Sequence, residues 1–215
     1  MHRDWGSSGS KSGKGRRGSS SGAWLTALGL MFVLLGGEAS HAEGLPPNLR
    51  ASLLVRVLAY DRRMGARPPP LTIAVLYREG NADSEGQGQE FTRALESASR
   101  GRSVLGRPVR IVLVGFRDPT QLRDDLSQAS VVALYVCEGL EADTTGIARV
   151  TRQLSILSFA SSRTELERGL AIGLGRQGNS PIILIQLTAA RAEGADLDAG
   201  LLSLSHLVEP ARSTP

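Results

Sequence analysis

Four short apolar runs recur along the middle of the chain, and each is typical of a buried strand. They cover residues 71–77 (LTIAVLY), 109–115 (VRIVLVG), 131–137 (VVALYVC) and 154–159 (LSILSF). The first run follows three prolines and ends before Arg78. Runs that are apolar almost throughout indicate strands covered on both faces rather than strands at a surface.

Segments with helical periodicity alternate with these runs. Apolar residues three to five positions apart predict a helix over residues 48–67 and another over residues 90–100. Asp118 followed by Pro119 provides an N-cap and a first-turn proline for a third helix, which ends near Gln128. A fourth helix is predicted over residues 141–152.

The last third of the chain changes character. Ser162 and Glu165 match a capping box that opens one short helical turn. Residues 170–175 and 181–187 read as an antiparallel hairpin, because a short polar link containing glycine joins them. Asp196 is predicted to cap a last helix over residues 197–208. The predicted fold is therefore α/β: a mixed, mainly parallel sheet of about six strands flanked by helices, ending in an antiparallel hairpin and a C-terminal helix.

The first 42 residues have the pattern of a secretory signal peptide. A basic, Gly/Ser-rich n-region, residues 1–22, precedes an apolar run over residues 23–37, which is shorter than the roughly 20 residues that a spanning helix needs. Small residues at Ser40 and Ala42 predict cleavage between Ala42 and Glu43. The exported chain is then one domain, residues 43–208, with a disordered tail, residues 209–215. It is periplasmic or secreted without tight membrane insertion; the alternative keeps 23–37 as an uncleaved anchor.

Removal of this leader changes the charge of the protein. The formal net charge of +4 includes Lys11 and Lys14, whereas from Glu43 onward 20 arginines face 19 acidic residues, a net charge of +1. This near-neutral balance predicts no nucleic-acid partner. Cys137 is the single cysteine and ends an apolar run, so it is predicted to be a buried small hydrophobe.

The polar segment after the first strand, residues 78–89, lies where α/β folds hold ligands. Its glycines, Gly80, Gly86 and Gly88, do not follow the dinucleotide-binding order. A phosphate-binding loop also requires a lysine, which the exported chain lacks. A flexible surface loop is therefore the favoured interpretation, with a contact segment as the alternative.

Metal and catalytic chemistry find little support in the sequence. Zinc and softer metals need clustered histidines and cysteines, and the exported chain has one of each, His206 and Cys137. His206 falls in the predicted last helix, and no G-x-S-x-G elbow exists. We therefore predict no catalytic, cofactor-binding or metal-binding residues and no enzymatic activity.

The end of the first predicted helix is rich in arginine. Arg56, Tyr60, Asp61, Arg62 and Arg63 join an apolar helix face to a polar end. One interpretation is a contact surface for a partner or for a second subunit. The other is a solvated helix end with Asp61 paired to an arginine, an interaction worth under about 1 kcal/mol. The sequence leaves both open.

The ordered set of segments resembles the YfiR-like (YfiR/HmsC-like) family of periplasmic proteins. The resemblance spans residues 48–208 and is carried by VLAYDR (57–62), LTIAVLY, GRPVRIV (106–112), VVALYV, LSILS, GLAIGL (169–174), IILIQLTAA and LLSLSHLV. It implies an exported, non-enzymatic regulator that binds a membrane-bound signalling protein, such as a diguanylate cyclase or a sensor kinase, and that can form a homodimer. Better-studied members carry paired cysteines and often Asn at the position of Gln186, so the resemblance does not extend to an internal disulfide.

A second function class stays open beside the regulator. A parallel sheet offers a crevice at its strand ends, which suits a periplasmic small-molecule binding module. A single domain lacks the second lobe that periplasmic solute-binding proteins close around a ligand. A hydrolase with an unrecognised site is the remote alternative.

Overall fold

A computed structural model describes residues 44–100 and 104–210, so the predicted signal peptide and the end of the predicted tail lie outside the described residues. The strands are β1 Leu71–Arg78, β2 Val109–Phe116, β3 Val131–Val136, β4 Leu157–Ala160, β5 Ile172–Gln177, β6 Ser180–Ile185 and β7 His206–Leu207. The α-helices are α1 Pro47–Ala59, α2 Ala82–Ser99, α3 Pro119–Gln128, α4 Thr144–Leu154, α5 Arg163–Glu167, α6 Leu187–Ala192 and α7 Ala199–Ser203. Two 3-10 turns, Arg62–Gly65 and Glu141–Asp143, complete these elements.

The described strands form one seven-stranded sheet in the order β2-β1-β3-β4-β5-β6-β7. Neighbouring strands are parallel from β2 to β5, β5 and β6 are antiparallel, and β6 and β7 are parallel. The α/β class, the mainly parallel sheet and the closing hairpin are thus confirmed. The strand order reverses between β1 and β3, as in doubly wound folds that bind ligands at this point.

Both faces of the sheet are covered by helices, which explains the nearly continuous apolar strands. Ile73 and Val75 of β1 join the core beneath α1 and α2, whereas Ala74 and Leu76 join the core beneath α3 and α4. The first six residues of β1 are buried, and all six of β3 are buried. Alternating side chains on a strand point to opposite faces, so both faces must be apolar here.

The first helix is shorter than predicted. α1 ends at Ala59, and Asp61 then adopts an extended conformation with φ −88° and ψ 108°. The Asp61 side chain accepts a hydrogen bond from the Arg63 backbone N–H and thereby caps the 3-10 turn Arg62–Gly65. The sequence predicts a longer helix because Met64, in the 3-10 turn, is also buried and continues the apolar spacing of α1.

The predicted flexible loop over residues 78–89 is wrong, because α2 begins at Ala82. Asn81 caps the helix by accepting a hydrogen bond from the Ser84 N–H at 3.0 Å, and acidic residues in the first turn favour the helix dipole. Gly88 is buried inside α2, where an added Cβ would lie 3.0 Å from Leu113 Cδ1. This glycine allows close packing of α2 on the sheet rather than flexibility.

The predicted C-terminal helix is present but is shorter than the predicted range, residues 197–208. The short helix α7 is capped by Asp198 instead of Asp196, and the unpredicted α6 lies before it. The chain then becomes extended, and His206 pairs with Leu184 of β6. Leu204, within the predicted helix, is 73% exposed. Pairing with β6 therefore overrides the helical spacing of the leucines.

The remaining predicted elements are confirmed with shifted ends. α3 begins at Pro119 after the Asp118 cap, and α5 begins after the Ser162 capping box. The fourth strand starts later than predicted because α4 extends to Leu154, and Ser155, at φ +52°, ends the helix in a left-handed conformation. Residues 178 and 179 form the turn of the predicted hairpin.

Candidate functional site

The crevice at the strand reversal is filled by the protein's own side chains. Arg78, at the carboxyl end of β1, donates from Nε to the Gly139 carbonyl at 2.7 Å and forms an ion pair with Asp143. Ser84 is buried and donates from Oγ to the Glu138 carbonyl at 2.7 Å. These contacts join β1, α2 and the segment after β3. The polar side chains at this part of the carboxyl edge therefore hold these elements together.

An open cleft lies further along the same edge, beside β4, β5 and β6. Its volume is about 240 Å³. Its polar lining consists of Arg50, Ser161, Ser162, Arg163 and Arg176, and its apolar lining includes Ala160, Leu174, Ile182 and Leu184. Arg163 also pairs through Nε with Glu167 at 2.8 Å. A lining of arginines and apolar side chains suits a small molecule that combines an anionic group with an apolar part.

Arg50 connects this cleft to the buried side chain of Tyr135. Its Nη1 donates to the Tyr135 hydroxyl at 2.5 Å, and the Tyr135 ring stacks on Phe91 with 3.8 Å between ring centroids. Its Nη2 donates to the Leu45 carbonyl at 3.3 Å. Burial raises the pKa of Tyr135, and the nearby Arg50 charge opposes this shift. Arg50 is thus held in place at the wall of the cleft by both ends of its guanidinium group.

Cys137 is buried, which confirms the prediction made from its apolar run. Burial, together with the smaller effect of the nearby Glu165 carboxylate, raises the pKa of its thiol to about 12. The thiolate is the reactive form of cysteine, so this thiol is an inert core group at neutral pH.

Glu165 completes the capping box at the cleft. It is fully buried, and its Oε2 accepts hydrogen bonds from the Ser161 N–H at 2.8 Å, the Ser161 hydroxyl at 2.9 Å and the Ser162 N–H at 3.1 Å. Its Oε1 has no hydrogen-bond partner among the described residues. Burial raises the pKa of this carboxyl to about 7, against the opposing effect of these hydrogen bonds. Glu165 therefore fixes the serines that line the cleft.

A larger cavity, of about 480 Å³, lies at the opposite, amino-terminal ends of the strands. Its two arginines are bonded to backbone carbonyls: Arg67 donates to Ser155 at 2.9 Å and Arg110 donates to Ala129 at 2.7 Å. Ligands of open parallel sheets bind at the carboxyl ends of the strands. The smaller cleft is therefore the better candidate for binding.

Two of the predicted contact residues form the internal anchor of the α1 end. Asp61 is fully buried, and its carboxylate accepts hydrogen bonds from the Arg63 guanidinium at 3.0 Å and from the Asp196 N–H at 3.1 Å. Arg63 also donates from Nη1 to the Glu193 carbonyl at 2.9 Å. The pairing of Asp61 with an arginine is present, but in a buried position rather than at a solvated helix end.

The other three predicted contact residues reach the surface. Arg62 is bonded to Asp198 at 2.8 Å, with its side chain 62% exposed. Arg56 is exposed, forms no hydrogen bond or ion pair among the described residues, and lies one helical turn before the half-buried Tyr60. The structure therefore brings Tyr60, Asp61, Arg62 and Arg63 to one junction between α1 and the C-terminal segment. Arg56 lies one turn earlier on α1, and a partner contact by any of these residues stays a prediction.

The sequence reasoning missed Arg50 and Glu165 as residues of the cleft. Arg50 occurs in a helix with other arginines, and nothing in its local sequence distinguishes it from Arg56. Glu165 was recognised as the N3 residue of a capping box, which is the one local signal of its role. The burial of Glu165 depends on the segments that cover it, so no local sequence pattern predicts that burial.

The part of the chain that the structure describes contains no group of three or more His, Cys, Asp or Glu residues able to hold a metal ion. Within the same residues, no helix is both long enough and apolar enough to cross a membrane. His206 is exposed on β7, and Cys137 is buried after β3.

These features define a doubly wound α/β domain with a small, arginine-lined cleft and a polar junction at the end of α1. The family model described as YfiR/HmsC-like (DUF4154) matches residues 47–206. The chain therefore belongs to the YfiR/HmsC-like family, as its ordered segments suggested. Membership supports a periplasmic regulatory protein. A comparison with curated proteins finds no match.

Solved structures share the fold at low sequence identity. The ABC domain from Streptococcus pneumonia in complex with L-Trp is 14% identical with a TM-score of 0.52; the alignment covers 74% of this chain and 62% of that one. The ligand-free, open substrate-binding protein CD0873 from Clostridium difficile is 13% identical with a TM-score of 0.51, and 75% and 59% of the two chains are covered. A conserved domain protein from Vibrio cholerae is 13% identical with a TM-score of 0.52; the alignment covers 75% of this chain and 60% of that one. The chain spans about 60% of the length of these structures.

Proposed function

We propose that this protein is a periplasmic, non-enzymatic regulator that binds a membrane-bound signalling protein, such as a diguanylate cyclase or a sensor kinase, through the end of α1. One observation carries this proposal: the end of α1 is fixed to the C-terminal segment, where the Asp198 N–H donates to the Tyr60 carbonyl and Arg62 pairs with Asp198, and the exposed Arg56 lies four residues before Tyr60 on the same helix. Asp61 and Arg63 provide further internal contacts. A preorganised polar surface lowers the entropic cost of association.

The charge reversal Arg56→Glu is expected to disrupt this contact without unfolding the domain, because Arg56 is exposed and unbonded among the described residues. Recovery of the signalling protein with the tagged regulator from detergent-solubilised membranes should fall at least about tenfold, which equals about 1.4 kcal/mol of binding free energy. Cyclase or kinase output in cells should change in parallel.

Arg149→Glu is the matched control, since Arg149 is also exposed on a helix but lies on the α3/α4 side of the sheet. The control should recover the same signalling protein as wild type. The proposal fails if Arg56→Glu recovers it equally well. It also fails if the recovered protein has no cyclase, kinase or related signalling domain.

The arginine-lined cleft supports a second candidate function, binding of a small carboxylate ligand. Arg50, Arg163 and Arg176 line it together with apolar side chains from β5 and β6. A guanidinium group binds carboxylates through two parallel hydrogen bonds. One structure of the same fold contains L-Trp, an amino acid with a carboxylate and an apolar side chain. The cleft volume of about 240 Å³ suits a ligand of amino-acid size.

L-tryptophan is therefore the probe for this cleft, and indole, which lacks the carboxylate, is its counterpart. We expect calorimetry to detect L-tryptophan binding and no indole binding. Arg163→Ala should weaken binding about tenfold, the effect of losing one charge-assisted interaction, while Arg149→Ala should not change it. Equal binding of both compounds, or of both variants, would contradict a carboxylate site here and would leave the regulator proposal untouched.

A further inference from the structure

The cavity of about 480 Å³ at the amino-terminal ends of the strands combines hydrogen-bond donors with an apolar wall. Its polar lining consists of two arginines and three hydroxyl groups: Arg67, Arg110, Thr72, Ser127 and Ser130. The other described residues that line it are prolines and aliphatic residues, and none is acidic. Its volume is within the range of small-molecule sites. This amino-end cavity is separate from the arginine-lined cleft, which lies at the opposite edge of the sheet.

Contacts with the backbone fix both arginines at the wall of the amino-end cavity. Arg67 donates from Nη2 to the Ser155 carbonyl at 2.9 Å, and Arg110 donates from Nη2 to the Ala129 carbonyl at 2.7 Å. Arg110 also donates from Nε to the buried Thr72 hydroxyl at 3.2 Å. Within the described residues, Nη1 of each guanidinium group forms no hydrogen bond. Both Nη1 groups are therefore held in place and can still donate to a ligand.

The charge of the two guanidinium groups exceeds the opposing charge of the helix ends. The carbonyls that they bind follow the carboxyl ends of α3 and α4, where each helix dipole carries about −0.5 charge. The wall therefore keeps a positive charge of about one unit. Two acidic residues of α3 are engaged elsewhere: Asp124 pairs with Arg123 at 3.1 Å, and Asp125 accepts from Gln121 at 2.6 Å. The amino-end cavity thus favours an anion.

Ser130 has a backbone conformation that glycine adopts more readily. Its φ is +51°, in the left-handed region, at the connection between α3 and β3. The hydroxyls of Ser127 and Ser130 form no hydrogen bond with the described part of the chain, and both residues line the cavity. A side chain at a position that suits glycine is explained if its hydroxyl binds a ligand.

We propose that the amino-end cavity binds a soluble phosphate monoester with an apolar organic part. A phosphate monoester has three terminal oxygens and about −1.5 to −2 charge at pH 7, whereas a carboxylate has two oxygens and a single charge. The phosphate therefore matches two guanidinium groups and several hydroxyls better than a carboxylate does. The prolines and aliphatic side chains then cover the organic part.

The donors of this site come from segments that enter the strands. Arg67 precedes β1, and Ser130 directly precedes β3. The site therefore does not use the connections after the strands, which hold ligands at the carboxyl edge of such sheets. It is independent of the α1 junction and of carboxylate binding in the arginine-lined cleft.

Phenyl phosphate is the probe, and phenol and benzoate are its counterparts without the phosphate group. The full chain is expressed, and the purified protein is titrated by calorimetry in phosphate-free buffer. We expect phenyl phosphate to bind, phenol not to bind, and benzoate to bind at least about tenfold more weakly, because it lacks one oxygen and part of the charge.

Two variants locate the site. Arg110→Gln should raise the dissociation constant of phenyl phosphate at least about tenfold, because one charge-assisted contact is lost. Ser130→Gly should raise it roughly fivefold through loss of one hydrogen bond. Its unfolding free energy should stay the same or rise, because glycine adopts this φ without strain. Arg149→Gln is the control, since Arg149 is exposed on α4 and outside the lining.

The control should bind phenyl phosphate as wild type does. The proposal is overturned if phenyl phosphate does not bind, if phenol or benzoate binds equally well, or if Arg110→Gln and Ser130→Gly both bind like wild type. Binding to phosphatidic acid vesicles without binding of phenyl phosphate would assign the cavity to a lipid headgroup and would also overturn it.

Discussion

Replacing Glu193 with alanine is expected to lower the free energy of unfolding by roughly 3–5 kcal/mol, the effect of removing one member of a buried polar network. Glu193 is fully buried. Its Oε1 accepts hydrogen bonds from the hydroxyls of Thr151 and Ser158, each at 2.6 Å, and its Oε2 accepts one from the Ser158 N–H at 2.8 Å. Alanine leaves these three donors buried without this acceptor.

The effect is large because one side chain connects three elements. Thr151 belongs to α4, Ser158 to β4, and Glu193 follows α6. The Ser158 hydroxyl in turn accepts a hydrogen bond from the Ala171 N–H at 2.9 Å, directly before β5. Loss of the carboxylate therefore weakens the packing of α4 and α6 around the centre of the sheet.

Urea unfolding monitored by circular dichroism measures this loss. Glu193→Gln should lower the unfolding free energy less than alanine does, because glutamine has nearly the same shape. Its amide oxygen can accept from the Ser158 N–H, and its N–H₂ group can donate to the Thr151 and Ser158 hydroxyl oxygens once these hydroxyls rotate. Arg191→Ala, at an exposed position of α6, should change stability by under about 0.5 kcal/mol. A loss below about 1 kcal/mol for Glu193→Ala would contradict the assigned network.

The unfolding free energy of the wild type is expected to decrease as the pH rises from 4.5 to 7. Burial raises the pKa of both Glu165 and Glu193 from 4.5 to about 7. Between these values the folded protein retains protons that the unfolded chain releases, so stability is greatest at the acidic end of the window and is lost as pH approaches 7. A shift of this size amounts to about 3 kcal/mol for each group at most.

The test is a series of urea titrations between pH 4.5 and 7.5. Glu165→Gln and Glu193→Gln should each remove about half of the pH dependence, and the double variant should remove most of it. Glutamine is also accepted at the N3 position of a capping box, so Glu165→Gln keeps that contact. Glu85→Gln is the control, since Glu85 is exposed. Wild-type stability that is constant or rises across this window would show that the two carboxyls are not protonated in the folded protein.

The regulator proposal and the shared fold are compatible. The similar solved structures are longer, and this chain spans about 60% of them. A shared fold does not fix the function, so the similarity is compatible with a regulator as well as with a binding module. The polar junction at the end of α1 and the cleft between Arg50 and Arg163 involve different residues, so each can be tested alone.

Much of the architecture was predictable because the relevant signals are local. Apolar runs such as residues 71–77 indicate strands buried on both faces, and Asp118 with Pro119 marks a helix start by backbone chemistry alone. The fold class, the closing hairpin, the capping box at Ser162 and the burial of Cys137 all followed from such signals. The family resemblance rested on the same ordered segments.

Other features depended on partners distant in sequence. The glycines at positions 86 and 88 suggested a loop, whereas Gly88 fits α2 against Leu113, 25 positions further along the chain. The leucines after residue 197 suggested a helix, whereas pairing with β6 extends the chain at His206. Local propensity is weaker than the free energy of packing and strand pairing, so tertiary contacts decide such segments.

The sequence by itself determined the alternation of strands and helices, the near-neutral charge from Glu43 onward and the family, because these depend on residue type and order. The tertiary structure alone decided which acidic groups are buried. In the sequence, Asp61, Glu165 and Glu193 look like ordinary polar residues, but folding buries all three completely. Asp61 and Glu193 then accept hydrogen bonds from segments far along the chain, and Glu165 accepts them within its capping box. It also decided that β2 forms a border of the sheet, since strand order follows from packing of the whole sheet.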